Sequence, residues 1–190
     1  ARLTPDDADA HFGIGRVYWE LERYAEAAEA FRETVRLDPE NTAALFGLGD
    51  SCRMLEWYEE AAEVFKKAIT VNPDAEVFHA SLGEAYIMLK RYDEAARAFE
   101  EAIRIRPNSA DSYYGLAHAH LLSERYAEAV DAYQEAIRLQ PNHVHARHNL
   151  GLTHLILGDK NAAMEQYRAL VELDQEAASD LLKRISSARD

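Results

Sequence analysis

Read for its apolar positions alone, the chain repeats itself. In residues 8–41, Phe12, Ile14, Val17, Tyr18 and Leu21 recur at helical spacing. The pattern breaks at "LERY" and resumes in "AEAAEAFRETVRL", with Ala27, Phe31 and Leu37 on one side and Glu26, Glu29 and Glu33 on the other. The same double stripe returns in 42–75, 76–109, 110–143 and 144–177. No run alternates β-branched and polar residues as strands require, so the pattern predicts an all-α chain built from pairs of amphipathic helices.

The punctuation is as regular as the stripes. Pro5, Pro39, Pro73, Pro107 and Pro141, the only prolines, are each separated by 34 residues (39 − 5, 73 − 39 and onward). Proline has no amide hydrogen and biases the residue before it away from helical angles, so each one stops a second helix. Asp7, Asn41 and Ser109 follow where a side-chain oxygen can accept amide hydrogens of the next helix. Ala75 and His143 hold the same place, where the caps are expected from the neighbours Asp74 and Asn142. Small residues share two further slots, Gly15, Gly49, Gly83, Ala117 and Gly151 in the first helix and Ala27, Ala61, Ala95, Ala129 and Ala163 in the second. They let the helices approach closely, and the aromatics Phe31, Phe65, Phe99, Tyr133 and Tyr167 fill the space beside them.

This period, with its small–Tyr–Ala–aromatic–Pro slots, resembles the tetratricopeptide repeat. The resemblance covers 8–177 as five copies (8–41, 42–75, 76–109, 110–143 and a degenerate 144–177), with "RLTPDD" in 1–7 matching the tail of a further copy. It implies a right-handed superhelical solenoid of antiparallel helix pairs. Residues 178–190 continue a stripe through Leu181, Leu182 and Ile185, expected as an amphipathic helix that caps the last repeat. On this reading the N terminus is cut from a longer array and the C terminus is natural.

Solenoids of this kind resemble one another in using a concave groove lined by first helices to hold peptides or protein segments. Carried over slot by slot, the groove candidates begin with Phe12, Arg16 and Trp19, followed by Phe46, Asp50 and Arg53. Glu84 and Met88 belong to the third repeat, Tyr114 and His118 to the fourth, and His145 and His148 to the fifth. Aromatics on a face that the internal core does not require suggest anchoring sites, although Phe12, Phe46 and Tyr114 can also be read as packing between adjacent first helices. Gly13, Gly47 and Gly115 are expected to leave hollows. Five groove carboxylates, Asp9, Glu20, Asp50, Glu84 and Asp111, face two arginines, which suits a partner segment with apolar and basic residues. Members that clamp the acidic tails of heat-shock chaperones place Lys, Asn and Arg in these slots. Here they hold Phe12, Arg16, Gly47, Val77 and Ser81, or Phe46, Asp50, Ser81, Asp111 and Gly115 in the next register, so such tails are not the expected partner.

Composition narrows the rest. A formal net charge of −13 argues against nucleic acid or an anionic membrane as partner. No apolar stretch approaches the roughly 20 residues of a membrane span, and the lone Cys52 excludes an internal disulfide, so the chain is expected in the cytoplasm. The sequence holds no phosphate loop, nucleophile elbow or HExxH, and no enzyme activity or cofactor is expected. His118, His145 and His148 could in principle ligate zinc or copper, but nothing completes the set. The remaining readings are a recruiting array belonging to a larger, enzymatic protein, and a scaffold that self-associates.

Overall fold

A computed structural model describes residues 7–188, and the "RLTPD" of the expected N-terminal tail lies outside them. Eleven helices form among the described residues: α1 (Ala8–Glu20), α2 (Tyr24–Leu37), α3 (Thr42–Met54), α4 (Tyr58–Val71), α5 (Glu76–Met88), α6 (Tyr92–Ile105), α7 (Ala110–Leu122), α8 (Tyr126–Leu139), α9 (Val144–Ile156), α10 (Lys160–Val171) and α11 (Gln175–Ser187). Consecutive helices pack in pairs, the all-α arrangement of a tetratricopeptide solenoid. Two compact units result, Ala1–Ile105 with α1 to α6 and Arg106–Asp190 with α7 to α11.

Each first helix ends in the same way. The N–H of Arg23 bonds the Tyr18 carbonyl at 2.9 Å and that of Glu22 bonds Trp19 at 3.0 Å, the crossed pair of a Schellman turn. This geometry puts Glu22 at φ 57°, and Glu56 (62°), Lys90 (60°) and Glu124 (62°) repeat it. Only the last copy uses glycine, Gly158 at φ 80°. A side chain in the left-handed region costs about 1–2 kcal/mol, partly offset by the chain entropy that glycine adds to the unfolded state. Glu56→Gly is therefore expected to stabilise the first unit by roughly 0.5–1 kcal/mol, read as a higher melting temperature in a thermal scan.

Caps open the helices. Asp7, Asn41 and Ser109 accept the amides of Ala10, Ala44 and Ser112 at 3.1, 3.0 and 3.3 Å. Ala75 supplies no side-chain cap. His143 differs from expectation: its own Nδ1, not Asn142, accepts the amide of Ala146 at 3.2 Å. On the outer faces the carboxylates of the second helices are spent on neighbours one turn away, with Arg23 to Glu26, Arg32 to Glu29 and Arg36 to Glu33. These exposed pairs keep the surface polar and add little stability.

The core of the first unit is organised by its aromatics. A Cβ added at Gly15 would lie 2.8 Å from the Phe31 ring, at Gly49 2.6 Å from Phe65, and at Gly83 2.7 Å from Phe99. The ring of the second helix thus sits directly against bare backbone of the first. Phe31 also reaches α3, where a Cβ on Gly47 would come within 2.7 Å of it. That fills the hollow expected at Gly47 from inside the fold, whereas the space beside Gly13 is open. The apolar stripe of α1 departs from expectation for a related reason. Ile14 and Val17 are 36% and 56% exposed, while the matching positions Leu48, Ser51, Leu82 and Ala85 are buried in helices packed against α2 and α4. Among the described residues, no helix covers that side of α1.

In the second unit, Ala117, Ala129, Tyr133, Ala136, Ala146 and Leu150 form one core cluster. Gly115 is buried in α7 and offers no hollow. The last helix changes the rule for the small slot. A Cβ on Gly151 would meet Leu181 of α11 at 2.6 Å, so a leucine from the terminal helix takes the place held elsewhere by an aromatic. α11 starts at Gln175, capped by Asp174, and buries Ala178, Leu181 and Ile185 against α9 and α10.

Candidate functional site

Two faces carry the residues singled out from the sequence, one in each unit. In the first unit, α1 and α3 present Phe12, Arg16, Trp19, Phe46 and Asp50 around a single pocket of about 380 Å³, with Glu20 on its rim and Phe31 at its base. Helical spacing explains the grouping, because positions 12, 16 and 19 lie on one side of α1 and 46 and 50 on one side of α3. The walls are aromatic. Phe12 tilts against Phe31 at 5.8 Å between centroids, and Phe46 lies 6.3 Å from Phe65 and 6.5 Å from Phe78. Trp19 meets Tyr24 edge-on at 6.3 Å yet remains 40% exposed, and Phe46 remains 36% exposed.

The charges around this pocket are partly committed. Arg53 donates to Asp50 at 2.6 Å and reaches Glu84 at 3.8 Å, bridging α3 and α5, and Arg16 lies 3.9 Å from Glu20. Asp9, Glu20, Asp50 and Glu84 still outnumber Arg16 and Arg53 by two, four against two. Met88 stands further along the same row on α5 and is 51% exposed.

In the second unit Tyr114 is the hub. Its ring stacks with His118 at 6.1 Å and packs against Tyr133 at 5.9 Å, His143 at 5.0 Å and His145 at 6.4 Å. Its hydroxyl accepts from Asn149 Nδ2 at 3.3 Å. Burial pushes the Tyr114 phenol up and the His118 imidazole down, both away from their charged forms. His148 turns the other way, its Nε2 3.0 Å from Asp180 of α11. The neighbouring Arg184, and after it this His148 contact, holds the Asp180 carboxyl below its usual range. The histidines are thus divided among different tasks, and among the described residues no three His, Cys, Asp or Glu groups are placed to hold a metal ion. The roles of His143 and Asp180 were not readable from the sequence, since both depend on contacts made by folding.

The remaining candidate chemistry is inert. Cys52 is fully buried, and desolvation pushes its thiol up to about 12, which removes the thiolate that reactivity requires. No helix among the described residues is long and apolar enough to cross a membrane.

Comparison with known proteins agrees with this architecture. Models of the tetratricopeptide repeat match residues 1–42, 12–76 and 114–179, and a second such model matches 75–142. The chain belongs to the tetratricopeptide repeat family, whose members are in general protein–protein interaction scaffolds without catalytic groups of their own. No curated protein matches significantly over its sequence. Among solved structures, a MamA fragment from Desulfovibrio magneticus aligns with 23% identity and a TM-score of 0.83, over 89% of this chain and 96% of that one. YrrB, described as a TPR protein with an unusual peptide-binding site, aligns with 19% identity and a TM-score of 0.76, over 94% and 93%. TTC0263 of Thermus thermophilus aligns with 22% identity and a TM-score of 0.71, over 96% and 98%. At these identities the likeness is one of fold.

Proposed function

We propose that the chain is a non-enzymatic scaffold whose first unit binds an extended segment of a partner protein along α1 and α3. An apolar side chain of that segment sits between Phe12, Trp19 and Phe46, and basic residues beside it meet Glu20, Asp50 and Glu84. The observation that carries this reading is the 380 Å³ pocket walled by three aromatic rings, two of them left partly in water by the folded chain. Solvated aromatics in a concavity release water when covered, and such residues dominate the energetics of most interfaces. The surplus of carboxylates selects a cationic segment and speeds its approach. An acidic tail would be repelled by the same surface. The peptide-binding site named for YrrB, on a similar fold, lends support to a peptide ligand here.

Tryptophan fluorescence tests the reading directly. Trp57→Phe leaves Trp19 as the sole indole, because the chain has two tryptophans. Segments with an apolar residue flanked by Lys or Arg, selected from a displayed peptide library, are expected to shift Trp19 emission to the blue on binding. Tight binders that leave the Trp19 spectrum unmoved would show that the segment binds elsewhere.

A further inference from the structure

The slot that opens each first helix holds Asp7, Asn41, Ala75, Ser109 and His143 in turn. Three of these cap through an oxygen that accepts hydrogen bonds throughout the neutral and mildly acidic range. The fourth capping side chain is an imidazole, and it accepts the Ala146 amide through Nδ1. A histidine nitrogen can accept only when it carries no proton, so this cap requires the neutral ring with its hydrogen on Nε2. Protonation places a hydrogen on Nδ1, pointed at the Ala146 N–H, and adds a positive charge at the N-terminal end of α9, where the helix dipole disfavours it. We propose that His143 is an acid-labile cap, and that mild acidification releases the first turn of α9 and reshapes the pocket this turn shares with α11.

The surroundings of His143 favour the neutral ring. It is buried, with 8% of its surface exposed, and lies 5.0 Å from the Tyr114 ring. From α7, Asp111 Oδ1 stands 3.6 Å from Nε2, beyond hydrogen-bond length, and the Asp111 side chain is 93% exposed, so solvent screens most of its attraction for a protonated ring. His118, also on α7, stacks on Tyr114, and burial pushes its own imidazole down, away from the charged form. From α8, Tyr133 contributes an uncharged ring packed against Tyr114. From α9, His145 lies 6.5 Å away and disfavours a second positive charge, while Arg147 directs its guanidinium to the Pro141 carbonyl. From α11, Asp180 is engaged by His148 and Arg184. Burial, the largest influence, outweighs Asp111, and the His143 imidazole titrates below its ordinary range.

The direction of the response follows. With the folded value depressed, the stability contributed by neutral His143 is complete above the unfolded value of about 6.5 and is lost as pH falls from there through the folded value. The released turn is not remote from a binding surface. Val144, His145 and His148 of this turn and the one after it, with Ala177 and Asp180 of α11, line a pocket of about 330 Å³. Acidification therefore alters the second unit's own pocket, and the inference stands whether or not the first unit binds a peptide.

Amide exchange followed by NMR on the full chain is the test, with rates corrected for intrinsic pH dependence. Between about pH 7.5 and pH 5, protection of the Ala146 amide is expected to drop roughly five- to tenfold in the natural chain. His143→Asn, which installs the residue found at position 41, is expected to keep protection level over this range. His143→Ala is expected to be poorly protected at both pH values. Constant protection in the natural chain, or an undiminished acid loss in His143→Asn, overturns the proposal. The latter result would place the acid response outside the His143 cap.

Discussion

Phe31→Ala is expected to cost about 3–5 kcal/mol, the upper range for removing a buried aromatic. The ring is 2% exposed and stands against two glycines on different helices, within 2.8 Å of a Cβ position at Gly15 and 2.7 Å at Gly47. One side chain thus joins α1, α2 and α3. Alanine leaves a cavity bordered by bare backbone at both glycines, which carry no side chain to fill it. A native chain has roughly 5–15 kcal/mol in total, and in a repeat array that loss falls first on the unit concerned. Urea titration read by Trp19 emission is expected to move to a clearly lower midpoint, with the change concentrated in the first unit. Phe31→Leu, which keeps most of the volume, should cost under about 1.5 kcal/mol. Equal losses for the two variants would mean that the ring does not join the helices.

Much of this packing is visible in the chain itself. A proline interval of 34 and small residues recurring opposite aromatics leave few arrangements other than stacked helix pairs, and oxygen-bearing side chains after three of the five prolines locate the caps at Asp7, Asn41 and Ser109. The failures come where one unit meets the next. Gly47 reads as a hollow until Phe31 of the preceding pair is seen to fill it. Ile14 and Val17 read as core from their helical spacing, but only the later copies of those slots, such as Leu48 and Ser51, have a preceding helix packed over them. His143 is not legible as a cap because imidazole accepts only with the right tautomer and rotamer, neither of which spacing can specify. The left-handed residues Glu22, Glu56, Lys90 and Glu124 carry no glycine to mark them.

For the candidate site, spacing alone brings Phe12, Arg16 and Trp19 together, and the repeat interval adds Phe46 and Asp50. What spacing could not supply was the state of the charges. Arg53 stands three residues from Asp50 and 3.8 Å from Glu84, so one groove arginine already serves two carboxylates before any partner arrives. A cationic ligand must therefore share Asp50 with Arg53, and the freer acid at the pocket rim is Glu20, whose contact with Arg16 is long and exposed. The apolar anchor carries more of the expected affinity than the charges do.

That division decides the second large effect. The double variant Trp19→Ala, Phe46→Ala is expected to weaken segment binding by about 1,000-fold, since each aromatic anchor at the centre of an interface is worth roughly 2 kcal/mol when removed. Isothermal titration with the selected segment measures it. Trp19 can be removed cheaply, because it is 40% exposed and meets Tyr24 edge-on. Phe46 is less simple, since it also packs near Phe65 and Phe78. Circular dichroism and melting of each single variant separate the two roles. A large stability loss in Phe46→Ala with normal binding in Trp19→Ala would make the aromatics part of the fold, whereas lost affinity with helicity and melting nearly unchanged makes them the binding surface. Glu20→Gln should change affinity severalfold at most and mainly at low salt, because a screened rim charge governs approach more than residence.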